Sequence, residues 1–136
     1  MSYMSPKCEA SRKIALELLT LAMRDAVAVY SFKKLPEIDF SIIGFHAQQS
    51  VEKCMKAVLA VNEIEFPKIH ELATLHALLV SNSIEVPVST DVLNRLTPYA
   101  VSSRYDLERD ELLDELQATA LVTQIHEWAR SLINPR

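Results

Sequence analysis

A single glycine, Gly44, stands in a chain of 136 residues. Phosphate-cradling loops, dinucleotide fingerprints and nucleophile elbows all need glycines at fixed offsets. Only a residue without Cβ lets the backbone approach a ligand closely or pass through positive φ at no steric cost. Those chemistries are excluded. The same count argues against an all-β fold, because its tight hairpin turns demand repeated residues at positive φ. Hydrophobic residues make up 49% of the chain and charged residues 24%, which favours a packed core over disorder. The length fits one core and not two. The expectation is a single all-α domain over residues 1–136, an antiparallel up-and-down bundle of about five helices.

Local signals place the helices. Ser5 followed by Pro6 opens the first, since serine caps and proline suits the first helical position. Ile14, Leu18, Leu21, Val29 and Phe32, with Ala22 and Ala28 between them, predict its inner stripe as far as Ser31. Pro36 marks a connection, and Asp39 caps a second helix to about Asn62. Ile43, Ala47, Val51, Cys54, Val58 and Val61 line one side of that helix, and Met55 with Leu59 widens the arc. So broad an apolar arc belongs to a central helix with several neighbours. A third helix is expected from about Ile69 to Val80, and a fourth from near Thr90 to about Arg104 with a kink or break at Pro98. Asp106 and Glu108 open a long last helix whose Leu112, Leu113, Leu116, Ala120, Ile125, Trp128 and Leu132 face inward.

Fourteen basic residues face eighteen acidic ones, a net charge of −4. General DNA binding is therefore not expected. The acidic run Glu108, Asp110, Glu111, Asp114 and Glu115 reads as a solvated helix face. Cys8 and Cys54 are far apart and read as reduced thiols. The longest stretch without Asp, Glu, Lys or Arg is Leu72 to Ile84, 13 residues, where a membrane span needs about 20. No membrane segment is expected, and the start lacks the apolar core of a secretion signal. The protein is expected to be soluble and cytoplasmic.

Polar residues gather on the second helix. Spacings of three, four and seven set His46, Gln49, Lys53 and Lys56 along neighbouring rows of one side. Glu52 and Lys56 have the favourable order for an exposed ion pair. Spacing alone reads this set as the polar flank of an amphipathic helix. His70-Glu71 begins like a zinc-protease helix, but position 74 is Thr where the second histidine is required. Four histidines and no thiol cluster predict neither a metal nor a cofactor. Arg104, at the end of the fourth segment, suits a helix C-terminus and equally a bidentate grip on phosphate.

Three blocks together resemble the HEPN domain family. They run from Phe45 through His46, Gln49, Lys53 and Lys56 to Ala57, from Phe66-Pro67 through His70 to Leu72, and from Leu96-Thr97-Pro98-Tyr99 to Arg104-Tyr105. With the Asp25 region and the last helix, the resemblance covers nearly the whole chain. It implies a bundle of about five helices acting as a homodimer, with nucleotide binding. It also implies a minimal nucleotidyltransferase as partner in a toxin–antitoxin type of system. The polar positions it carries over are His46, Gln49, Lys53, Lys56, His70, Arg104 and Tyr105.

One departure bears on activity. Many HEPN proteins cleave RNA without metal, using an arginine followed after four to six residues by a histidine. No arginine of this chain has a histidine in that window. The motif that would stabilise phosphate charge and move a proton is absent, so no catalytic residue is assigned. Three readings remain. The first is a noncatalytic binding module, favoured by a local excess of Lys53, Lys56, Lys68, His70 and Arg104 that suits phosphate. The second is a bundle whose polar residues are structural. The third is a ribonuclease with a rearranged site built from His46 or His70 with Arg104.

Overall fold

In the computed structural model, residues 5–100 and 114–134 are described. The elements are α1 (Pro6–Phe32), α2 (Phe40–Val61), α3 (Leu72–Ser81), α4 (Thr90–Leu96), a 3-10 turn (Thr97–Ala100) and α5 (Glu115–Ile133). The chain is an all-α bundle, with no strand among the described residues. Short side chains open most of these helices by satisfying backbone N–H groups that the first turn leaves without partners. Ser5 accepts from Cys8 N with Pro6 at the first helical position. Asp39 accepts from Ser41 N at 3.2 Å, and Ser89 accepts from Val92 N. Asp114 and Gln117 bond reciprocally as a capping box.

Helix α2 is the centre, packed against every other element. Ile43, Val51, Cys54, Met55, Val58 and Leu59 are fully or almost fully withdrawn from solvent. Burial pushes the Cys54 thiol up to about 12, so it stays protonated and packs as an apolar group. The longest contact is α1 against α2. There the inner face of α1 is Ala15, Ala22, Ala26 and Val29, while Ile14 is 50% and Leu21 40% exposed. The expected stripe through Ile14 and Leu21 is therefore turned. Alanines let the two backbones approach, and Ser50 Oγ donates across the seam to the Ala22 carbonyl at 2.9 Å. Ser50→Ala removes that buried bond and is expected to cost about 1 kcal/mol in urea denaturation.

Helix α5 shows the same kind of rotation. Its buried residues are Ala118, Leu121, Val122, Ile125, Ala129 and Ile133. Leu116 and Leu132 are exposed at 80% and 46%, Ala120 is exposed as well, and Trp128 is half-buried. The Trp128 indole donates to the Glu85 carbonyl and ties α5 to the α3–α4 connection. The helix starts at Glu115, where the capping box at Asp114 closes its first turn, and the expected start near Asp106 lies outside the described residues. Leu112 and Leu113 lie outside the described residues. Helix α3 starts at Leu72, three residues later than the periodicity suggests. The His70 carbonyl is taken by the Gln48 side chain, and Thr97 Oγ1 accepts from Leu72 N. The expected break at Pro98 is present as the 3-10 turn. No described helix is long and apolar enough to cross a membrane.

Candidate functional site

At 100° per residue, His46, Lys53, Gln49, Lys56, Glu52 and Gln48 follow one another around α2 over an arc of about 160°. Two carboxylates anchor this arc, one on the neighbouring helix and one on α2 itself.

Asp25 of α1 holds the first end. His46 Nδ1 donates to Asp25 Oδ1 at 2.9 Å, and Lys53 Nζ donates to Asp25 Oδ2 at 2.6 Å. The His46 ring sits between two aromatic edges, Phe32 at 5.7 Å and Phe45 at 5.3 Å between centroids. A carboxylate only accepts, so Nδ1 carries a proton and Nε2 points away from Asp25.

Glu52 holds the second end from a buried position, only 4% exposed. Its Oε1 accepts from Gln48 Nε2 at 3.0 Å and from His70 Nδ1 at 2.9 Å. Its Oε2 accepts from Lys56 Nζ at 2.9 Å. Burial alone pushes the Glu52 carboxyl up, but the hydrogen bonds from Gln48, Lys56 and His70 and the charge of Lys56 outweigh it, and the pKa lies below its ordinary value. The segment before α3 closes over this cluster. Phe66 lies beneath Lys56 Nζ, 5.8 Å from the ring centroid, and His70 reaches in from the same segment. The His70 side chain keeps 64% of its surface exposed, so an anchored ring presents Nε2 to solvent.

Five of the seven expected residues thus share one surface. His46 and Lys53 meet on Asp25, Lys56 and His70 meet on Glu52, and Gln49 donates to Gln48 Oε1 at 2.7 Å between the two clusters. Arg104 and Tyr105 lie outside the described residues. Two features of the sequence reading need correction. The Glu52–Lys56 pair is buried and not exposed, because Phe66 and His70 cover it. The expected local excess of positive charge is reduced on the arc, where Lys53 and Lys56 each have a carboxylate partner, while Arg104 lies outside the described residues. Gln48 was missed altogether. Its spacing of i, i+4, i+8 with Glu52 and Lys56 was the available signal.

The sequence matches the family model described as HEPN domain over residues 16–132. The chain belongs to the HEPN family. A search of curated proteins and a search of solved structures each return no match. Within this HEPN domain no group of three or more His, Cys, Asp or Glu among the described residues could hold a metal ion. What the arc can do is present two histidine Nε2 atoms and two lysine ammonium groups at orientations set from behind. Each lysine uses one of its three donors on its carboxylate in the arc.

Proposed function

We propose that this HEPN domain is a noncatalytic, cytoplasmic binding module that takes a nucleotide on the polar arc of α2 and acts as a homodimer. In this reading it is the partner of a minimal nucleotidyltransferase in a toxin–antitoxin type of system. The observation that carries the proposal is the buried Glu52. Placing an ionised carboxylate beneath a helix surface is costly, and apolar residues of similar volume commonly stabilise a fold as well or better. Here the carboxylate orients His70, Lys56 and Gln48, the arrangement expected where polar groups are held ready for a ligand. The remaining lysine donors suit phosphate oxygens, as does the outward Nε2–H of His70 when its ring is protonated, and the Phe66 face suits a stacked base. Arg104, with Tyr105, joins the same binding surface in the proposal.

Titration calorimetry with ATP and a panel of nucleotides tests it. Binding is expected, weakened about tenfold by Lys53→Ala or by His70→Ala, the loss of one charge-assisted hydrogen bond. His70→Ala also removes one donor from the buried Glu52, so circular dichroism confirms that each variant is folded at the titration temperature. A panel giving no heat and no competition overturns the reading.

One observation favours a second reading, a metal-independent ribonuclease. Glu52 fixes His70 with Nε2 free, the orientation of a general base. Incubation with total RNA under chelator, beside His70→Ala and His46→Ala, separates the two: RNA unchanged in every lane removes the nuclease.

A further inference from the structure

Helix α1 carries a second pattern, independent of the face it turns to α2. Lys13, Leu16, Thr20, Met23, Val27 and Tyr30 recur at alternating spacings of three and four, the a/d repeat of a helix pair. On this row Leu16 is 36%, Met23 39% and Val27 52% exposed. Among the described residues nothing covers these three: α2 takes the face bearing Ala15, Ala22, Ala26 and Val29, and α5 reaches the adjoining flank, where Arg12 donates to the Ile133 carbonyl, and the end of the row, where Tyr30 bonds Thr123. The N-terminal half of the row is a shallow depression lined by Glu9, Arg12, Lys13, Leu16, Glu17 and Thr20.

We propose that this row of α1 pairs antiparallel with the same row of a second copy of this chain. The charges choose the occupant and the direction. With Thr20 opposite Met23 of the other copy, Leu16 meets Val27 and Lys13 meets Tyr30, so Val27 and Tyr30 enter the depression. The flank beside the row then brings Glu17 of each copy next to Arg24 of the other, two opposite-charge pairs related by the two-fold axis. Both residues are exposed in the single chain. A parallel pair would stack Lys13 on Lys13 and would call on Arg12, which is already held by α5. The proposal rests on the homodimer named above and specifies its seam, which lies on α1 and leaves the polar arc of α2 free for a ligand.

Sedimentation equilibrium of the full chain tests it, with far-UV circular dichroism confirming that each variant is folded. The wild type is expected to be a dimer. Val27→Glu, which places a carboxylate in the apolar row, is expected to raise the dissociation constant at least about a hundredfold. Glu17→Arg and Arg24→Glu each place like charges together and raise it about tenfold. The double reversal Glu17→Arg with Arg24→Glu restores wild-type association. A wild type that sediments as a monomer up to about 0.1 mM, where even a weak pair forms, overturns both the seam and the homodimer. A dimer indifferent to Val27→Glu and to the charge reversals overturns the seam alone. Disruption by Val27→Glu without rescue in the double reversal overturns the antiparallel register.

Discussion

Glu52→Ala is expected to cost about 3–5 kcal/mol of folding stability, the usual penalty for removing one partner of a buried ion pair. The loss has named parts. Lys56, whose side chain is 13% exposed, keeps its charge without a counter-ion. His70 loses the anchor of its ring, and the Gln48 amide keeps only the His70 carbonyl. Urea denaturation measures the effect, and a cost below about 1 kcal/mol would mean that the cluster relaxes into water and is not a buried network. The pH dependence follows from the same contacts. The folded-state pKa of Glu52 lies below its ordinary value of 4.5, so the unfolded chain binds the proton more readily. The contribution is complete above about 4.5 and is lost as pH falls through the lower folded value. Glu52→Gln is expected to flatten that acid limb of the stability curve.

The same position separates a binding role from a structural one. Glu52→Leu paired with Lys56→Met replaces the ion pair by apolar packing, which often holds a fold equally well. A binding module is expected to keep its stability in this double variant and lose its nucleotide. A purely structural network predicts that the wild type already binds no nucleotide, so the double variant has no ligand effect to lose.

Gly44→Val is expected to destabilise the fold by about 3 kcal/mol, at the upper end for an overfilled core. Gly44 lies within α2, where an alanine would ordinarily gain about 1 kcal/mol of helix propensity. A Cβ built at Gly44 would come within 2.5 Å of Tyr99 Cδ1 and 2.7 Å of its Cγ. The ring cannot swing away freely, because it is buried in the 3-10 turn with the Phe40 ring set nearly perpendicular to it, 5.4 Å between centroids. Gly44→Ala therefore loses about 1–2 kcal/mol net, the clash outweighing the helical gain. In a Tyr99→Leu background the same substitution should become neutral or stabilising, and thermal melting of the four proteins of that cycle measures the coupling. A Gly44→Ala variant of the wild type that melts higher would show that the ring yields. This glycine serves neither a turn nor a phosphate. It is where the 3-10 turn is let in against α2.

Where local chemistry suffices, the reading from residues matches the molecule. Ser5 with Pro6, Asp39, the start near Thr90 and the break at Pro98 each depend on one hydrogen-bonding side chain or one missing N–H, and each is found in place. The row of His46, Gln49, Lys53 and Lys56 was equally plain, because helical spacing depends on nothing outside α2. Periodicity placed Ala22, Val29 and Ile125 inward as found, but on α1 and α5 it also turned in Ile14, Leu21, Leu116 and Leu132, which the fold leaves exposed. Leucine, isoleucine and alanine share those arcs. Hydrophobicity alone would turn the larger side chains inward, whereas the close approach of α1 to α2 favours the small Ala15, Ala22 and Ala26, with Val29 beside them.

A chain with one glycine, many helix formers and a broad apolar arc around residues 43–59 is bound to stack helices about a central one. That much needs no coordinates, because backbone conformational cost and helical spacing are local quantities. Which carboxylate meets which cation is a different matter. Asp25 lies 21 residues before His46 and 28 before Lys53, and Glu52 lies 18 before His70. Separations of that kind close only when α1 and the segment ahead of α3 pack onto α2. Burial then raises the energetic stakes of each pairing, and it turned an ordinary amphipathic flank into two anchored clusters.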